Sequence, residues 1–431
     1  MKKSLLVFLL GVSVAAFAQQ NVDSLSKEVP EVKKRQTAKE WFKNVPLWFS
    51  STDSSKQKGI IKKWFENVHI RGYMQLRYNR LAETNKDLKC EQCDRSWGDG
   101  GGFFFRRIRV IIYGQLTKRI YFYIQPDFGS SASSTGLNFG QLRDAYIDIG
   151  VDKRSEFRFR LGQSKVPYGF ENLQSSQNRL PFDRADALNS AISNERDIGI
   201  FFYWAPQKIR ERYSMLVNEG YKGSGDYGVF GIGLYNGQTA NKPELNKDKH
   251  VVVRLACPFK VKSQIFEPGI QAYTGKYVIP DDLLTSGVKF RSDKTYTDQR
   301  IAFSFVLYPR PFGIMTEYNI GKGPQFNPAT DSIEVRNLHG GYVTLNYMVK
   351  VKNHVLFPFV RGQYYDGGKK HEKDARSYLV KEIEFGLEWQ PVKFIELVAV
   401  YTISSRRFED FSKQNNLQNG RLLRLQAQIN F

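Results

Sequence analysis

The sequence predicts an all-β protein: a membrane-spanning barrel of 16 antiparallel strands. Three observations carry that expectation. From residue 68 onward, short segments alternate apolar and polar side chains, and none has the ~18–20 continuous apolar residues of a spanning helix. The polar face of these segments is rich in arginine and the other in aliphatic and aromatic residues. The connections also alternate, tight on one side and long and polar on the other, as in a barrel whose short turns face the periplasm.

The first 18 residues precede this pattern. A basic start, Met1-Lys2-Lys3, leads into "LLVFLLGVSVAAF" and ends in "AFA". Small Ala16 and Ala18 stand where signal peptidase requires small side chains, so residues 1–18 are expected to be a signal peptide cleaved before Gln19. Residues 19–66 are expected to form an N-terminal periplasmic extension. It carries "KEWFKNVP" (39–46), and a second copy, "KKWFENVH" (62–69), begins near its end. Such Trp-Phe segments suit a cap on the barrel rim or a docking site for a periplasmic or envelope protein partner. The barrel takes residues 67–431.

The strands follow in order. In "RGYMQLRYN", Arg71, Tyr73, Gln75, Arg77 and Asn79 oppose Gly72, Met74, Leu76 and Tyr78. In "FFFRRIRVIIYG" (103–114), Ile108, Val110 and Ile112 oppose Arg107 and Arg109, while Arg106 breaks the parity and is expected at a rim or bulge. In "EFRFRLG", Phe157, Phe159 and Leu161 oppose Arg158 and Arg160; "KEIEFGLEW" repeats the scheme with glutamates. The last segment, "RLLRLQAQINF", closes on Phe431 with Leu423, Leu425, Ala427 and Ile429 on the same face. Successive strand side chains point to opposite faces. An arginine on the lipid face at mid-bilayer costs ~2–4 kcal/mol, so parity assigns these arginines to an aqueous lumen.

Long links are expected at about 81–102, 129–140, 164–195, 237–248, 279–297, 322–337, 366–378 and 405–420. "RYSMLVNE" (212–219) reads as a seventeenth strand, but accepting it would put later long loops on the turn side. Leaving it inside a longer turn gives 16, with 18 as the alternative. Closure leaves no exposed edge strand.

The net charge of +21 attracts anions. An exported chain makes nucleic acid a poor partner, which leaves small anions and lipid phosphates. The run "KKHEKDAR" (369–376) is expected to face outward, toward lipopolysaccharide. Cys90 and Cys93 form one C-x-x-C pair, read as a local disulfide or two free thiols; a zinc site would need two more ligands.

Residues 103–199 carry a specific order of motifs: "FRRIRV", "PDF" (126–128), "LRDAYIDI" (142–149), "GQSKVPYGFE" (162–171) and "FDRADALNSAISNERDIGI" (182–200). This order resembles the phosphate-selective porin O/P family of Gram-negative outer membranes. The resemblance implies an outer-membrane location, a 16-stranded barrel, a homotrimer, an inward-folded third loop and arginine ladders leading to a central cationic site. By position the third loop is 164–195, with Lys165, Arg179, Arg184 and Arg196 in or beside it. The closely spaced tyrosine-and-arginine loop run of phosphate-selective members is not seen.

The expected function is therefore a water-filled, anion-preferring diffusion channel, with phosphate or polyphosphate as candidate solutes. Its pathway residues are Arg77, Arg107, Arg109, Arg158, Arg160, Lys165, Arg179, Arg184 and Arg196. Arg254, Arg300, Arg361 and Arg424 are further lumen candidates, and Asp144, Asp148, Glu382, Glu384 and Glu388 could pair with lumen arginines to brace the wall. A structural scaffold barrel in a larger outer-membrane complex is the alternative. No catalytic grouping, metal site or cofactor is read from the sequence, and the protein is not expected to be an enzyme.

Overall fold

The computed structural model describes residues 67–88, 90, 101–129 and 138–431. The expectations for the signal peptide and the N-terminal extension lie outside the described residues. No described helix is long and apolar enough to cross a membrane. The described chain forms one closed antiparallel sheet.

Its strands are β1 Val68–Leu81, β2 Gly102–Thr117, β3 Ile120–Asp127, β4 Gln141–Gly150, β5 Phe157–Lys165, β6 Arg196–Trp204, β7 Phe230–Tyr235 and β8 His250–Ala256. The second half has β9 Gln264–Val278, β10 Thr295–Leu307, β11 Phe312–Asn327, β12 Ser332–Tyr347, β13 His354–Gly368, β14 Ser377–Val392, β15 Ile395–Glu409 and β16 Leu417–Asn430. Two short pieces, Phe259–Val261 and Val349–Val351, prolong β8 and β12, because each pairs with the same neighbour as the strand before it. The first break falls at Cys257-Pro258, where proline has no N–H to give the ladder. Eighteen hydrogen-bonded segments thus make 16 spans. The barrel closes through β1 and β16, with Tyr73 opposite Asn430 and Tyr78 opposite Leu425.

Alternation decides which face is which. Ile200 on β6 is 53% exposed on the outer face, whereas Arg160 on β5 is 5% exposed on the inner one. Phe303, Phe305, Ile383, Phe385 and Leu387 continue the exposed apolar belt. A soluble protein would bury that belt; a bilayer takes it.

"RYSMLVNE" is no strand. It belongs to a helix, α1 (Gln207–Asn218), inside the long turn between β6 and β7. Tyr213 and Leu216, three residues apart, are its buried face, and the Tyr213 hydroxyl donates to the Ala256 carbonyl (2.9 Å). Gly220 (φ +75°) ends the helix in a left-handed conformation that glycine adopts at little cost. The expected link at 322–337 is corrected: β11 and β12 run on past it and join through residues 328–331.

Residues 166–195, between β5 and β6, are largely buried and hydrogen-bond to inner-face side chains of distant strands. Tyr168 donates to Asn319 on β11 (2.9 Å), Arg300 on β10 to Ser190 (2.8 Å), and Tyr73 on β1 shares a bond with Ser176 (2.6 Å). The backbone N–H groups of Phe170 and Glu171 donate to the Glu317 carboxylate. Val166, Phe170, Leu180, Leu188 and Ile192 form an apolar core with inner-face residues Tyr203, Val306, Tyr342 and Val400.

Candidate functional site

Of the arginines placed in the lumen by parity, Arg77, Arg107, Arg109, Arg158, Arg160, Arg254, Arg300, Arg361 and Arg424 are buried on the inner face, and Arg71 is partly buried. Their surroundings divide them. On β8 and β10–β16 they are paired and brace the wall: Arg254 with Glu267 (3.1 Å), Arg361 with Glu171 (3.0 Å), and Arg424 with Glu384 (2.9 Å) and Asp183. Arg406, which the parity argument did not single out, holds both Asp186 and Glu382 (2.9 and 3.0 Å).

Among the described residues, two cavities lie along β2–β6. The loop-side cavity, about 660 Å³, is lined among others by Arg106, Arg107, Arg143, Arg179 and Arg184. Two of these are bulge residues. Arg106 is the extra residue where β2 slips against β1, since Gln75 pairs with Arg107 and Leu76 with Phe105. Arg143 is the extra residue where β4 slips against β3, opposite the Gln125-Pro126 step. A bulge breaks the period of two, so it can turn an additional side chain inward. That is how Arg106 escapes its expected parity, and why Arg143 was missed.

The turn-side cavity, about 670 Å³, is lined by four basic side chains, Arg71, Arg160, Lys165 and Arg196, against two acidic ones, Asp144 and Asp226. In the lining of the loop-side cavity, Glu195 meets Arg184, Arg196 (2.6 Å) and Arg143 (3.7 Å). Burial alone would raise the Glu195 pKa, but these three cations hold it well below the usual carboxylate range. The bridge thus joins Arg184 in the buried loop to Arg143 and Arg196 on β4 and β6.

The candidate pathway residues differ in how firmly they are held. Arg109 is bound to Asp127 (2.7 Å), Arg158 to Asp226 (2.7 Å), Arg160 to Asp148 by two bonds (2.7 and 2.8 Å), and Arg196 to Asp144 (2.9 Å). Arg77 meets Gln426 (2.7 Å) and, at 3.8 Å, Asp183. Lys165 donates to the carbonyls of Leu173 and Gln174 (2.8 and 2.7 Å), Arg107 to Gln75 (2.8 Å), and Arg179 to the carbonyls of Pro181 and Phe182. Among the described residues, no carboxylate lies within 4 Å of Lys165, Arg107 or Arg179. Their hydrogen bonds run to neutral oxygens.

The expectation for 369–376 is corrected. Lys369 and Lys370 are buried and bind Asp186 and Asp298; Arg376 is buried against Asp410 (2.6 Å). The run folds back into the barrel mouth because buried carboxylates there need partners. Cys90 is disulfide-bonded and Cys257 is a free thiol. Among the described residues no three His, Cys, Asp or Glu side chains gather as a metal site.

A closed barrel with an apolar outer belt and a charged, cavity-bearing interior is an outer-membrane channel of the porin class. The profile of the phosphate-selective porins O and P matches residues 82–431. The chain belongs to that family. Among solved structures it is similar to an anion-selective porin from Comamonas acidovorans (11% identity, TM-score 0.49, covering 84% of this chain and 99% of that one). It is also similar to the trimer form of OmpT from Vibrio cholerae (10%, 0.49, 84% and 99%) and to OmpF from Salmonella typhi in complex with daunomycin (11%, 0.48, 85% and 98%). No curated protein matches the sequence.

Proposed function

We propose that the pore favours anions and passes phosphate or polyphosphate. The route runs through the loop-side cavity, past the Glu195 bridge, into the turn-side cavity. In this reading Arg77, Arg107, Arg109, Arg158, Arg160, Lys165, Arg179, Arg184 and Arg196 line or flank the pathway. The observation that carries it is the set of three buried cations, Arg107, Arg179 and Lys165, answered only by neutral oxygens. A low-dielectric wall focuses the field of such charges. Guanidinium can grip two phosphate oxygens at once, and a series of moderate sites lets the ion leave again.

Reversal potentials across planar bilayers under a potassium chloride gradient test this. The native protein should prefer anions, and Arg107→Gln with Lys165→Gln should lower the anion-to-cation permeability ratio roughly tenfold. Cation preference in the native protein, or an unchanged ratio in the folded double variant, would overturn the reading. Homotrimeric assembly and contact of the outer belt with lipid and lipopolysaccharide belong to the same proposal. The mass of the detergent-solubilised protein tests the first of these.

A further inference from the structure

The turn-side cavity holds a feature that small-anion passage does not use. Tyr113 on β2, Tyr123 on β3 and Tyr146 on β4 stand directly opposite one another in the ladder, Tyr113 with Tyr123 and Tyr123 with Tyr146. All three line the cavity and are only partly buried. The rings of Tyr123 and Tyr146 stack 5.2 Å apart with planes 12° from parallel, and Tyr113 lies 6.4 Å from Tyr123. Tyr121 adds a ring 6.3 Å from Tyr113. The row is flanked by cations: the Arg71 guanidinium lies 5.7 Å from the Tyr113 ring centre and that of Arg160 3.9 Å from the Tyr146 centre.

A wall that needed only to pass phosphate or chloride would gain nothing from these rings. A compact, strongly hydrated oxyanion has no apolar face to lay on them. A flat organic ring does, since offset-stacked and edge-to-face contacts between aromatic rings are favourable beyond simple burial. If that ring carries a phosphate or carboxylate, Arg71, which meets no carboxylate among the described residues, can take the charge, while Arg160 is held by Asp148. We infer that the Tyr113–Tyr123–Tyr146 row and its arginines form a binding site for organic anions bearing a planar ring, such as aryl phosphates and aromatic carboxylates. The inference rests on the channel reading above and adds the solute class that the turn-side cavity retains.

Blockade of chloride current in planar bilayers tests it, with inorganic phosphate, phenyl phosphate, benzoate, acetate and neutral phenol as probes. Phenyl phosphate should reach half-block at about one tenth the concentration of inorganic phosphate, and benzoate at about one tenth that of acetate, a gap equivalent to ~1.4 kcal/mol. Phenol should not block. Tyr123→Ala with Tyr146→Ala should bring each pair within about twofold, whereas Tyr123→Phe with Tyr146→Phe should keep the gap. Equal block by ring-bearing and ring-free anions in the native channel would overturn the inference, as would a gap that survives in a folded alanine variant. Failure of the channel reading shows separately, as lost anion preference in the salt-gradient measurement.

Discussion

Glu195 illustrates how far residue-level reading goes. Parity along the strands marks the inward arginines, because a strand's period of two is readable wherever the ladder is regular. It says nothing about Glu195, which lies in an irregular loop, or about Arg143, whose bulge breaks the period. The backbone around the carboxylate is also held in an unusual state: Asn194 and Glu195 both have left-handed φ values (60° and 62°), uncommon for residues other than glycine. Such strain persists only where surrounding contacts fix it, and here Arg143, Arg184 and Arg196 do so. On the proposed route Glu195 would be a built-in counter-ion to Arg143, Arg184 and Arg196. Glu195→Gln should raise the anion-to-cation permeability ratio severalfold, read from reversal potentials. A lower ratio would show that the carboxylate serves the wall alone.

At the scale of elements, the segment 166–195 is fixed by charge as much as by apolar packing. Asp186 takes two bonds from Arg406 (3.1 and 2.9 Å) and one from Lys369, each nearly fully buried. Burial would raise its pKa, but Arg406 and Lys369 hold it below the usual carboxylate range. A carboxyl depressed in the folded state contributes its stability fully above its unfolded pKa of about 3.9 and loses it only as pH falls through the lower folded value. The Asp186 contacts should therefore keep their full contribution to stability down to about pH 5, so the heat stability lost in Asp186→Asn should be the same at about pH 7 and pH 5. Removing the carboxylate leaves buried cations short of a partner, so Asp186→Asn should cost ~3–5 kcal/mol. The checks are a lower temperature of heat-induced gel-mobility change and noisier single-channel current. Sequence patterning could not supply this staple. A run such as "KKHEKDAR" normally means a solvated surface, and only the carboxylates brought in from residues 186 and 298 turn its lysines inward. The α1 segment misleads in the opposite way: Tyr213, Met215 and Val217 alternate like a strand, while the buried pair Tyr213 and Leu216 keeps helical spacing.

The whole molecule depends on one seam. The N–H of Gly72 donates to the Phe431 carbonyl (2.7 Å), and the N–H of Phe431 donates back to the Gly72 carbonyl (2.9 Å). A side-chain carbon at residue 72 would come within 2.6 Å of the Phe431 ring and 2.5 Å of the Arg109 carbonyl oxygen. Gly72→Val should therefore hinder closure and reduce the yield of heat-resistant barrel on gels, while Val360→Ile, on a regular stretch of β13, should not. Closure and strand number were legible because turn and loop lengths alternate, a constraint that covers the entire chain. An inward third loop at 164–195 was expected only through the family resemblance, and its contacts were not legible, since loop packing has no sequence period.

The uneven filling of the bore has a practical side. On one flank β13, β15 and β16 are tied to the buried loop by ion pairs and β10 and β11 by hydrogen bonds, whereas the arc from β2 to β6 borders the two cavities. Changes to the first arc will register as differences in heat tolerance, and changes to the second as differences in what crosses and how fast. An engineer can thus retune traffic on one flank while leaving the load-carrying flank alone.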